Sequence, residues 1–143
     1  MTVFVAYAPT REGARALEAA AAEASLRGRP LHVASYLTHE VGESPTRARS
    51  DMNAAEATEQ HLDQVRERLS GQGLEVTSKL LHGQTGDAGR QLLEEARRVA
   101  ASLIVVGVRR RTPVGKLVLG SVSQQLLLGA DCPVLAVKAP SEA

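Results

Sequence analysis

The chain has 143 residues, 43% hydrophobic and 23% charged, with 17 basic and 16 acidic side chains and a net charge of +1. That length fits one domain spanning 1–143, and the near-neutral balance argues against a dedicated nucleic-acid binder, whose surface is normally strongly basic. Aromatics make up 2% and cysteine occurs once, at Cys132, so the core must be aliphatic and no intrachain disulfide can form.

In chain order, TVFVAYA (2–8) is β-branched and aromatic and stops at Pro9, which reads as a first strand. The alanine-rich stretch after it has Ala14, Leu17, Ala21 and Ala24 at helical spacing, with Thr10 suited to the N-cap and Gly28 and Pro30 to the stop. LHVASYL (31–37) reads as a second strand. THEVGESPTRARSD (38–51) is polar and contains Pro, Gly and Ser, so a mobile loop is expected there. A second helix should follow, with Met52, Ala55, Leu62, Val65 and Leu69 on one stripe and Gly71 and Gly73 closing it.

LEVTSKLL (74–81) reads as a third strand, and Gly83 and Gly86 bracket a turn. Asp87 is placed to cap a third helix carrying Ala88, Leu92, Ala96 and Val99. SLIVVG (102–107) is a continuous apolar run, as expected of a strand buried on both faces. SVSQQLLL (121–128) reads as a short helix stopped by Gly129, PVLAVK (133–138) as the last strand, and APSEA as a disordered tail. Strict β-α alternation implies parallel strands, right-handed crossovers and helices on both faces, a doubly wound α/β fold.

The stretch GVRRRTPVGKLVLGS (107–121) carries Arg109, Arg110, Arg111 and Lys116, with no acid anywhere in 107–130. It leaves the C-terminal end of a strand and enters a helix N-terminus, where free N–H groups and the helix dipole favour an anion. Gly120 lets a phosphate approach the backbone, Ser121 offers a hydroxyl, and an arginine can grip phosphate in bidentate fashion. A solvated basic surface fits the same residues equally well, and adjacent arginines in an extended loop cannot all face one ligand. The phosphate-binding pattern G-x-x-x-x-G-K-[ST] is absent, because Leu117 follows Lys116.

Taken together, these segments resemble the universal stress protein family. That family carries G-x-x-G, nine residues, then G-[ST] between its fourth strand and fourth helix. Here Gly107 is followed by Arg110 in the second glycine's place, and Gly120 and Ser121 stand nine residues later. VFVAYAPTREGARAL and DCPVLAVK are similar to the family's opening and closing segments, so the resemblance covers essentially the whole chain.

It implies a five-stranded parallel sheet of order 3-2-1-4-5 and a homodimer paired through the last strand, at Val134, Leu135, Ala136 and Val137. It also implies, for some members, binding of ATP, AMP or a related adenine nucleotide, with Mg only alongside the nucleotide. By the same resemblance, phosphates would meet Gly107, Gly120, Ser121 and Val122 with help from Arg109 or Arg110. Pro9 and Thr10 would line the nucleoside side, and backbone around Val33 and Ala34 would hold adenine.

Two departures bear on this, the first removing a side-chain contact and the second either occluding the site or supplying a charged contact. Ala8, Pro9 and Thr10 stand where nucleotide-binding members usually have Asp-Gly-Ser, and Arg110 replaces a glycine. A nucleotide-free dimer acting through an unknown protein partner is the alternative, and a nucleotide hydrolase a third reading.

The four histidines lack a close metal-ligand spacing, and Asp51 with Glu56, or Glu94 with Glu95, read as charged helix faces. Cys132 reads as a small buried hydrophobe. No serine sits in a nucleophile elbow, and Ala8 and Pro9 exclude the acid cluster of a receiver domain. No catalytic residue is assigned, and hydrolysis, if any, is expected to be slow and incidental. MTVFVAYAPT lacks the basic segment of a signal peptide, and no apolar run reaches about 18 residues. The expectation is a cytoplasmic protein without membrane or nucleic-acid partners.

Overall fold

A computed structural model describes residues 1–39, 44–110 and 117–139. The strands are β1 (Thr2–Ala6), β2 (Leu31–Thr38), β3 (Val76–Gly83), β4 (Ala101–Arg110), β5 (Leu117–Val118) and β6 (Val134–Lys138). The helices are α1 (Arg11–Arg27), α2 (Pro45–Ser70), α3 (Ala88–Arg98) and α4 (Ser121–Gly129).

Five strands form one parallel sheet in the order β3-β2-β1-β4-β6, which is the expected 3-2-1-4-5 order, with β6 as its fifth parallel member. The two-residue β5 is an addition that the sequence did not announce. It pairs antiparallel with the end of β4, Arg109 against Val118 and Arg110 against Leu117.

Strand alternation sorts the core onto two faces. Val3, Val5, Val33, Leu103 and Val105 pack with Leu17, Leu62, Val65 and Leu69 of α1 and α2. Phe4, Ala34, Ile104 and Val106 pack with Leu92, Ala96 and Leu126 of α3 and α4. Alanines do most of the work on α1: Ala16, Ala20 and Ala24 are fully buried, and their small side chains bring the helix close to the sheet. Their burial costs almost no side-chain entropy.

The expected caps of α1 are in place. Thr10 Oγ1 accepts from the Gly13 amide at 3.0 Å, and Gly28 takes the left-handed conformation at φ 61°.

Several elements differ from expectation. β1 ends at Ala6, two residues early, because the chain turns into the Thr10 cap. β3 is shifted two residues toward the C-terminus, and β4 runs on to Arg110 because β5 gives its end a partner. α2 begins at Pro45, within the segment expected to be a loop. Ser44 caps it by accepting from the Arg47 amide at 3.2 Å, and Pro45 occupies the first turn, where its missing N–H costs nothing. Residues 40–43 of that segment lie outside the described residues, as does the tail from 140 onward.

Ala14 and Met52 are exposed, since the buried stripe of α1 runs through Gly13, Ala16 and Ala20, and that of α2 begins only toward Leu62. Asp87 stands at the N-cap of α3 without a capping bond and pairs instead with Arg90 at 3.6 Å. Among the described residues no helix is long and apolar enough to cross a membrane.

Candidate functional site

The order of the sheet reverses between β1 and β4, where open α/β sheets form a crevice beyond their strand ends. A cleft of about 430 Å³ opens there. Its walls are the chain leaving β1 (Ala6, Tyr7, Ala8), the ends of β2 (Tyr36, Thr38) and β4 (Gly107, Arg109), and the first turns of α1, α3 and α4. Ala34, Leu92, Val106 and Val122 make an apolar floor.

Polar groups ring that floor. Ser123 is 7% exposed on α4. The Tyr7 side chain lies on the α1 and α2 face of the sheet, where its hydroxyl is 2.6 Å from His61 Nε2 with the two rings stacked, and burial holds this phenol above its usual pKa against the opposing pull of Arg68. The Tyr36 hydroxyl donates to the Gln84 carbonyl at 2.8 Å. Ser35 donates to the Tyr7 carbonyl at 2.8 Å, and the Tyr7 amide to the Ala34 carbonyl at 2.8 Å, fixing the path of the chain out of β1.

The expected site residues divide into four groups. Thr10, Ala34, Gly107, Arg109 and Val122 line the cleft. Gly120 and Ser121 stand beside it at the start of α4, both exposed and outside its walls, and Pro9 is exposed at its rim. The Val33 side chain is fully buried on the opposite face, among the α1 and α2 contacts, because neighbouring strand residues alternate. The Arg110 backbone pairs with β5; its side chain, and the residues 111–116, lie outside the described ones.

Two residues change meaning in three dimensions. A methyl group on Gly107 would lie 2.6 Å from the Glu12 carbonyl carbon and 3.0 Å from its Cβ, so this glycine serves the close approach of α1 to β4. Arg109 is already engaged: its Nε and one terminal nitrogen donate to Glu12 Oε1 at 3.0 and 2.7 Å. Partial burial pushes the Glu12 carboxyl up, but Arg109, the helix-start amide and the Thr10 hydroxyl together bring it below its ordinary value.

Glu12, Tyr36 and Ser123 were not expected in the cleft. Nothing local singles out Glu12, whose partner is 97 positions away. By contrast Gly120 has open space around it, with nothing within 4 Å of an added methyl group. It leaves α4 without a side-chain cap.

A second polar cluster lies away from the cleft. His32, 2% exposed at the start of β2, places Nε2 2.7 Å from Glu95 Oε2 and Nδ1 2.6 Å from Thr77 Oγ1. Arg98 grips the same carboxylate at 2.7 and 2.6 Å. A carboxylate only accepts, so Nε2 carries the proton, and in the neutral ring Nδ1 accepts from Thr77. Burial lowers the His32 pKa more than Glu95 raises it, and Arg98 holds the Glu95 carboxyl below its usual range against the effect of burial. Every member is satisfied within the protein, as a structural network requires.

Among the described residues no three His, Cys, Asp or Glu side chains gather as a metal site. Cys132 is half-buried, and burial and Asp131 push its thiol up, away from nucleophilic character.

The model of the universal stress protein family matches residues 1–138. A universal stress protein of Mycolicibacterium smegmatis is 56% identical over 52 residues, which cover 36% of this chain and 40% of that relative. The structure of a universal stress protein from Archaeoglobus fulgidus aligns with 96% of this chain and 97% of its own, at 30% identity and a TM-score of 0.70. A structure of the universal stress protein from Archaeoglobus fulgidus in complex with dAMP aligns at 26% identity, covering 96% of each chain, with a TM-score of 0.64. The strand order, the cleft at its reversal and a family match spanning almost every residue lead to one conclusion: the chain belongs to the universal stress protein family.

Proposed function

We propose that this protein is a dimeric regulatory module that binds an adenine nucleotide in the cleft between β1 and β4. The observation that carries this reading is the cleft itself. It has a volume of about 430 Å³, an apolar floor, polar side chains at its rim, and the uncapped start of α4 at one end. A solved relative was crystallised with dAMP. In this reading the protein is a binder rather than an enzyme, and it resides in the cytoplasm.

Calorimetric titration with AMP and ATP tests it, with Ala8→Trp as control. Ala8 is exposed at the cleft wall, so a bulky side chain there fills the mouth without entering the core. Binding that disappears in the variant supports the reading. The absence of heat at millimolar nucleotide, or binding unchanged in the variant, rejects it.

The dimer would form along β6. Among the described residues this strand pairs only with β4, leaving its other edge open, with Leu135 and Ala136 exposed. Leu128, on the neighbouring α4, is 89% exposed. An open apolar edge is what a symmetric partner covers.

A nucleotide-free module acting through protein contacts is the second reading. The Glu12–Arg109 pair favours it, because the arginine expected on phosphate already has a carboxylate.

A further inference from the structure

The two charged side chains among the described cleft residues are Glu12 and Arg109, and they form an ion pair. Gly107 makes this possible, since only a residue without a side chain lets the first turn of α1 close on β4 there. Glu12 sits in that turn with both Arg109 hydrogen bonds on its Oε1, at 3.0 and 2.7 Å. Its side chain is 17% exposed against 53% for Arg109, so the carboxylate is the less screened member of the pair.

We propose that Glu12 is a charge filter: it sets the cleft to accept adenosine and singly phosphorylated adenine nucleotides and to disfavour ATP. This rests on the nucleotide-binding reading above and specifies which ligand class that site takes. A phosphate reaching Arg109 must either displace Glu12 or lie beside it. For a phosphate about 6 Å from the carboxylate at an effective dielectric near 20, repulsion costs about a hundredfold in affinity per full charge; offset by the more exposed and so more screened Arg109, it is still about tenfold. The penalty grows with each phosphate charge and vanishes for the nucleoside.

The test is calorimetry in magnesium-free buffer with adenosine, AMP and ATP, on the unmodified protein, Glu12→Gln and the Glu12→Gln/Arg109→Gln double variant. The unmodified protein should bind AMP about tenfold or more tighter than ATP. Glu12→Gln should tighten ATP by about tenfold, AMP by less, and leave adenosine within about twofold. The double variant should keep only part of that gain, because the released arginine supplies the rest.

ATP binding as tight as AMP in the unmodified protein overturns the filter, a result that does not depend on any variant folding. So does an equal shift of all three ligands in Glu12→Gln, or a gain that is undiminished in the double variant. If none of the three ligands, adenosine included, binds any form, the nucleotide-binding reading falls and the filter with it. Binding without the charge ranking removes the filter alone.

Discussion

The two retained motif glycines should respond to substitution in opposite ways. Gly107→Ala forces a methyl group to 2.6 Å from the Glu12 carbonyl carbon and 3.0 Å from its Cβ, and the neighbour is backbone in the first turn of α1, which cannot rotate away. Overpacking of this kind costs about 1–3 kcal/mol. Displacing α1 also strains the Glu12–Arg109 pair, which adds no more than about 0.5 kcal/mol because Arg109 is half exposed.

A loss of about 2 kcal/mol follows, with a melting temperature about 5–8 °C lower for a domain of this size. Gly120→Ser is the counterpart. Gly120 has φ −69° and ψ 165°, a conformation any residue adopts, with open space around it, and a serine there can cap α4. Its stability should be unchanged or higher by a few tenths of a kcal/mol. Urea unfolding of the two variants beside the parent measures both. A Gly107→Ala cost under about 0.5 kcal/mol, or a Gly120→Ser cost of similar size to it, would refute the assignment of close packing to one glycine and open space to the other.

Three further outcomes are expected. Burial lowers the His32 pKa below 6.5, so the unfolded chain takes up that proton first. The stability conferred by the neutral ring is present above pH 6.5 and is lost as pH falls from there through the lower folded value. Chemical denaturation between pH 7.5 and 5 should show this loss, and His32→Asn should flatten the slope. Ala100, between α3 and β4, has φ 53°, a left-handed conformation that suits glycine; Ala100→Gly should raise stability by about 0.5–1 kcal/mol, read from the urea midpoint. Leu135→Glu places a charge on the open β6 edge and should convert a dimer into a monomer by light scattering, without changing the far-ultraviolet circular dichroism.

Much of the fold was legible because its signals are local. Thr10 and Gly28 mark the ends of α1 by chemistry contained within a few residues, and the apolar run at 102–107 states a doubly buried strand. The start of α2 was misread for an instructive reason. Ser44-Pro45 is a helix-opening pair, but in a polar stretch with Gly and Ser the proline looks like a breaker.

The cleft was legible only by position. Strand parity separates Ala34, on the cleft face, from Val33, on the other, and a pair of adjacent residues does not disclose which is which. Glu12 and Arg109 meet through the crossing of α1 over β4, a relation that exists only in the folded chain. Gly107 looked like a phosphate contact because the sequence cannot show that a helix already occupies the space beside it.

The small β5 has a practical consequence. By pairing Arg109 with Val118 and Arg110 with Leu117, it staples together the two ends of whatever lies between them. The chain that enters α4 is thereby tied to the end of β4. The cleft wall at Arg109 and the first turn of α4 thus share one short ladder, so a substitution that breaks the Arg109–Val118 pairing should loosen both walls together.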